Sequence, residues 1–142
     1  MTVTQRQISL PERPRGFHIV TREIETAVPE ISRCRVGTAH IMILHTSAGL
    51  AINESADPDV RTDFGTVFDT LVPEGDPRYV HTLEGSDDMP AHVKSSLVGH
   101  DVTVPIQDGH LVLGTWQGLY LCEFRNRGGS RRLVVTVTGE MI

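Results

Sequence analysis

Side chains able to bind a proton, a metal ion or a phosphate crowd one stretch of this chain. Residues 41–64 read IMILHTSAGLAINESADPDVRTDF, which places His45, Thr46, Ser47, Asn53, Glu54, Asp57, Asp59 and Asp63 in close succession. Further on come His81, the adjacent Asp87 and Asp88, His92, Lys94 and Ser95, and later Trp116, Glu123, Arg125 and Arg131. An imidazole titrates near neutral pH, so His45 and His92 are candidates for general acid or base, with Asn53 beside them and Glu54 or Asp88 to orient the rings. Together with His81 they form a three-imidazole set, His45, His81 and His92, of the kind that holds zinc and leaves one position open. Glu54, Asp57, Asp59, Asp63, Asp87 and Asp88 offer a different, all-oxygen site suited to magnesium. Asp59 and Asp63 read equally well as solvent-facing helix acids. Lys94, Arg125 and Arg131, with Thr46, Ser47, Ser95 and Trp116, are the candidate contacts to a phosphorylated small molecule. No HExxH spacing is present, so only folding can bring the three histidines together. Nucleophilic catalysis is disfavoured, because neither cysteine has a base near it in sequence and Ser47 lies outside a GxSxG elbow.

Short strands and helices must position these groups. Residues 4–10 and 16–20 read as a strand pair joined by a turn rich in proline and arginine. A helix over 22–32 follows, with Thr21 as N-cap and an apolar stripe of Ile24, Val28 and Ile31. Pro29 predicts a kink or an early end, since an interior proline costs about 3 kcal/mol. Residues 38–45 are apolar on both parities, which predicts a strand covered on both faces and a His45 that points with Ile41 and Ile43. After Gly49 a second strand reaches Glu54, and Asp57-Pro58 opens a helix with a stripe of Val60, Phe64, Val67, Phe68 and Leu71.

The polar segment 73–88 carries His81 and exceeds the roughly 12 residues beyond which a connection is usually a functional lid or a disordered tip. A helix over 88–97 then shows a stripe of Met89, Val93 and Leu97, sets Asp88 and His92 on one face, and offers its N-terminus, with Lys94, to a phosphate. Residues 101–106 and 110–116 read as strands joined by an Asp108-Gly109 hairpin turn. In 119–126 both parities are covered, so Glu123 and Arg125 must pair with each other, pair across strands, or meet a ligand. A final strand spans 131–138. This order is that of an α+β fold, with antiparallel sheets forming a sandwich or distorted barrel and three helices flanking it.

At 142 residues the chain fits one domain, 1–142. A net charge of −5 speaks against a nucleic-acid partner. Neither a membrane-spanning run nor a signal peptide is legible, so no membrane association and a cytoplasmic location are expected. Cys34 and Cys122, far apart and outside any CxxC pattern, read as reduced and structural.

Four blocks, HTSAGLAINE, DPDVRTDF, EGSDDMPAHVKSSL and LGTWQGLYLCEFR, in this order and spacing, resemble the YjbQ-like family, also called secondary thiamine-phosphate synthases. The resemblance spans nearly the whole chain and is most specific from His45 to Arg125. It implies a small β-sandwich with flanking helices, a homotrimer with the polar cluster near subunit interfaces, and a weak, secondary thiamine-phosphate synthase activity. That reaction joins a pyrimidine-methyl pyrophosphate to a thiazole phosphate and expels pyrophosphate. Two other readings stand beside it: a metal-dependent hydrolase of a phosphorylated or amide metabolite, and a non-catalytic trimer that captures a small anion.

Overall fold

The computed structural model describes residues 1–142. Its elements in chain order are β1 (Thr2–Leu10), β2 (Gly16–Ile19), α1 (Thr21–Ala27), α2 (Pro29–Ser32), β3 (Cys34–Ile43), β4 (Ala48–Glu54), α3 (Pro58–Leu71), α4 (Asp88–Val98), β5 (Asp101–Gln107), β6 (His110–Leu111), β7 (Gln117–Glu123) and β8 (Arg131–Met141). They make a five-stranded sheet in the order β1-β8-β3-β5-β6 and a three-stranded sheet in the order β2-β7-β4, with every pairing antiparallel. The two sheets stack as a sandwich, and no barrel closes. No helix is long and apolar enough to cross a membrane.

Alternation along the strands decides what lies between the sheets. Ala39, Ile41 and Ile43 of β3, Val104 and Ile106 of β5, and Leu133, Val135 and Val137 of β8 face inward onto Leu50, Leu119 and Leu121 of the smaller sheet. Ile24, Val28 and Ile31 close one side of this core. The other face of β7 presents Tyr120 and Cys122, followed by Phe124, to Ala91 of α4 and to Phe17, Phe64 and Phe68. Phe17 sits 5.4 Å from Phe64 and 5.5 Å from Phe68, centroid to centroid. The three-stranded sheet is therefore covered on both sides, as residues 119–126 predict. β3 is not. Met42 is 39% exposed and His40 is bonded to Asp101 on the surface, because the outer face of the large sheet carries polar residues and no helix covers it.

Four helices replace the expected three, since the chain breaks at Val28 and Pro29 starts α2 at a position where its missing N–H costs nothing. Thr21 does not cap α1; its hydroxyl accepts the Leu119 N–H at 2.9 Å and ties the helix to β7. Asp57 caps α3 as expected, accepting the Asp59 N–H at 2.9 Å. Phe64 and Phe68 are half-buried, while Val67 and Leu71 are exposed. In α4 the expected stripe is wrong. Leu97 is 62% exposed, and the residues turned inward are Asp88, Pro90, Ala91 and Lys94. Asp108 and Gly109 both adopt positive φ, 49° and 82°, as a type I′ hairpin requires, but β6 ends at Leu111 and, after a last bond from the Val112 N–H to the Pro105 carbonyl, residues 113–116 leave the sheet.

Candidate metal centre

The register of β4 on β7 separates the polar residues of 41–64 into two groups. Ala48 pairs with Glu123 at one end and Glu54 with Gln117 at the other. At about 3.3 Å per residue these ends lie roughly 20 Å apart. His45, Thr46 and Ser47 are at the first end, where α4 packs against β4. Asn53, Glu54 and Trp116 are at the second: Asn53 Oδ1 accepts the Glu54 N–H, the Glu54 carbonyl accepts the Tyr120 hydroxyl, and Trp116 is largely exposed. These three do not join the histidines.

At the first end a compact centre forms. His81 Nε2 lies 2.6 Å from Asp88 Oδ2, and His92 Nε2 lies 3.1 Å from the same oxygen. All three ligand atoms fall within 4.8 Å of one another. Asp88 and His92 share a face because they are four residues apart in α4. His81 arrives from the long connection 72–87, which is braced by its own bonds. Tyr79 donates to the Pro73 carbonyl, Arg78 is paired with Asp76, and Ser86 donates to Glu74, which also holds Arg15.

The surroundings fix these groups. His92 Nδ1 donates to the Thr46 carbonyl at 2.9 Å, which turns the Nε2 lone pair of the neutral ring toward Asp88. A lone pair facing a carboxylate oxygen is repulsive, so a proton or a metal ion must lie between them. Metal-ligating histidines characteristically donate their second N–H to a carbonyl in this way. The other Asp88 oxygen accepts Arg125 Nη1 at 2.5 Å. Burial works against ionisation of Asp88, but the His81 hydrogen bond and the Arg125 charge outweigh it and hold the carboxyl below its usual range. A tetrahedral zinc with bonds near 2.1 Å sets its ligand atoms about 3.4 Å apart; the two nitrogen–oxygen separations, 2.6 and 3.1 Å, reach that by opening less than about 1 Å, and the two nitrogens stand within 4.8 Å of each other.

His45 is not a member of this set. Its Nε2 accepts the backbone N–H of Arg132 at 2.8 Å, leaving that nitrogen unavailable to an ion. The ring instead lines a neighbouring hollow of about 250 Å³ with Thr46, Ala48, His92, Ser95 and His100. Burial, followed by the charges of Arg131 and Arg132, lowers its pKa from the ordinary histidine value.

The family kinship of the chain is decided by a match that covers residues 6–140, to the family described as UPF0047 protein YjbQ-like. The chain belongs to the YjbQ-like family. It is 46% identical over 136 residues to the UPF0047 protein YjbQ of Salmonella typhimurium, covering 96% of this chain and 98% of the relative. It is 42% identical to the UPF0047 protein sll1880 of Synechocystis sp., covering 96% and 92%. Among solved structures it is similar to a YjbQ/UPF0047 family protein of Clostridium acetobutylicum, with TM-score 0.78, 35% identity, and 94% and 99% of the two chains covered. A conserved hypothetical protein of Thermus thermophilus gives TM-score 0.79 and 31% identity, covering 96% and 99%.

Of the four sequence blocks that carry the YjbQ-like resemblance, the first contributes only its leading residues to the centre, and the third contributes Asp88 and His92. The cations expected to hold phosphate are engaged elsewhere. Lys94 is buried, with Nζ 2.6 Å from Asp69 and over the Phe124 ring. Arg125 holds Asp87, Asp88 and the Glu84 carbonyl. Arg131 forms a two-pronged pair with Glu123, at 2.7 and 2.5 Å, in the buried end of the core. Glu123 thus pairs across the sandwich and not with the Arg125 side chain. Ser47 is buried, and its carbonyl faces Arg131. Ser95 donates to the Thr46 carbonyl and fastens α4 beside the hollow. At the α4 N-terminus stand the buried carboxylates of Asp87 and Asp88, whose negative charge disfavours a phosphate there although neither side chain caps the helix; Asp57, Asp59 and Asp63 are exposed on and before α3. Ser96 and His100 also line the hollow and were not singled out in the sequence. Ser96, one turn beyond His92, carried the only local signal.

Proposed function

We propose that this chain is a metal-dependent enzyme that hydrolyses a small phosphorylated metabolite, with a divalent ion held by His81, Asp88 and His92. The carrying observation is the meeting of two imidazole Nε2 atoms on one carboxylate oxygen while the second nitrogen of His92 is held by the Thr46 carbonyl. Imidazole donors favour zinc over magnesium. When bound, such an ion polarises a phosphoryl or carbonyl oxygen. The chain's own residues prepare the site. Arg125 holds one oxygen of Asp88 so that the other stays aimed at both rings, and Asp87, accepting from Arg125 and the Asn126 N–H, keeps that guanidinium in place.

Thiamine-phosphate synthesis is the second reading, favoured by the family kinship. It needs positive charge to neutralise the departing pyrophosphate, and with Lys94, Arg125 and Arg131 engaged, an ion held by His81, Asp88 and His92 would supply it. The homotrimer that the resemblance implies would give cover to Val80 and Leu83, apolar side chains flanking His81 in sequence that are 94% and 98% exposed. The experiment is a screen of phosphate, pyrophosphate and amide substrates with zinc-loaded protein, beside His81→Ala and His92→Ala variants of native-like circular dichroism. Phosphate release that is lost in both variants supports the hydrolase. Turnover only with the two thiamine precursors supports the synthase, and ligand binding without product under every condition supports an anion-binding module.

A further inference from the structure

We infer that His45 serves as a neutral hydrogen-bond donor of fixed tautomer, presenting Nδ1–H to an anionic oxygen of the substrate in the hollow beside the metal centre. This inference rests on the proposed function above and specifies how that site recognises its substrate.

The tautomer follows from one contact. A backbone N–H can only donate, so the Nε2 atom 2.8 Å from the Arg132 nitrogen must carry a lone pair. In the neutral ring the proton is then on Nδ1. β8 fixes the donor, because Arg132 stands beside the buried Arg131 and its carbonyl accepts the Leu44 N–H at 3.0 Å. His45 is thus clamped against β8 through backbone on both sides. No protein group accepts from Nδ1, and no buried side-chain nitrogen or oxygen lacks a partner, so Nδ1 faces open space. His45 lines the hollow, and we assign Nδ1 to that opening.

The lining of that hollow selects the ligand. It consists of His45, Thr46, Ala48, His92, Ser95, Ser96 and His100, with no carboxylate among them. Arg131 and Arg132 place positive charge beside the ring, and Glu123 only partly offsets it. Burial and these charges disfavour a second proton on His45, so the ring remains a donor at one nitrogen and an acceptor at the other. A neutral imidazole whose N–H polarises an oxygen is an effective electrophile, because it gives up no proton to the substrate before reaction. The hollow therefore takes a phosphoryl or carboxylate oxygen, and His92 links it to the centre at Asp88.

Nitrogen-15 NMR of the histidine side chains, with His45 assigned by its loss in His45→Gln, reads the tautomer at neutral pH in metal-free protein. A protonated Nδ1 and a bare Nε2 are expected; the opposite tautomer, or an imidazolium, overturns the inference whether or not the chain binds metal. Titration of zinc-loaded protein with inorganic phosphate, and separately with acetate, tests the ligand. The amide of Asn overlays Nδ1 and that of Gln overlays Nε2, so His45→Gln should weaken the tighter anion roughly 10-fold or more while His45→Asn retains most of the affinity. Preference for phosphate or for acetate tells which oxygen the hollow takes. Binding of neither anion by the wild type, or equal affinity in wild type and His45→Gln, overturns the inference.

Discussion

Glu123 and Arg131 are a buried charged pair outside the proposed metal centre. Both are almost fully buried, and an added Cβ at Gly128 would stand 2.5 Å from the Arg131 guanidinium and from Glu123 Oε1, so the glycine lets the chain close over them. Glu123→Leu should lower unfolding stability by about 3–5 kcal/mol by stranding the arginine, whereas Glu123→Leu with Arg131→Met should recover at least half of that, measured by urea denaturation. Asp87 and Asp88 give the acid limit. Burial opposes their ionisation, but their bonds to Arg125, the Asn126 N–H and His81 lower both folded pKa values. Between the folded value and the unfolded value near 3.9 the unfolded chain binds more protons, so their stabilisation is complete above about pH 4 and is lost as pH falls through the lowered values. Denaturation midpoints from pH 5 to pH 2 should therefore fall less steeply in an Asp87→Asn, Asp88→Asn variant than in the wild type; equal slopes would contradict this. Cys122, buried and with its pKa pushed up to about 12 by that burial, stays a thiol across this range.

Elements place these residues with a logic only partly visible in the chain itself. The break at Pro29, the Asp-Gly hairpin and the two-faced β7 were all legible, because each depends on neighbours a few residues away. The face of α4 was not, because Asp88 and Lys94 turn inward for Arg125 and Asp69, partners 37 and 25 residues distant. A count of apolar residues gave Met89, Val93 and Leu97 instead. Lys94 joins α4 to α3, so its role is packing. Lys94→Met should leave phosphate affinity and metal content within about two-fold of wild type and change stability by less than roughly 1.5 kcal/mol, since Asp69 keeps access to water. A 10-fold loss of phosphate affinity in that variant would restore Lys94 as a ligand contact.

The whole molecule is a sandwich with its polar residues divided between two ends. The family was legible in four sequence blocks, and so was the sandwich with helices outside it. The composition of the site was legible only in part: His92 and Asp88 share a helix turn, but His81 enters through the return of a long connection, and His45 is turned away by a backbone N–H of β8. Neither event leaves a local signature. Because Asn53 and Glu54 sit at the far end of β4, roughly 20 Å along the strand from Ala48, their side chains do not reach the centre of their own chain, and Asn53→Ala and Glu54→Ala should leave any metal-dependent turnover within about two-fold of wild type, as steady-state rates will show. Metal content of protein purified without added ions, measured by plasma mass spectrometry, tests the central claim most directly. About one equivalent of zinc per chain is expected in the wild type and in His45→Ala, with nearly none in His81→Ala and His92→Ala. Metal-free wild type that takes up no zinc on addition, or retention undiminished in both variants, would contradict a centre built on His81, Asp88 and His92.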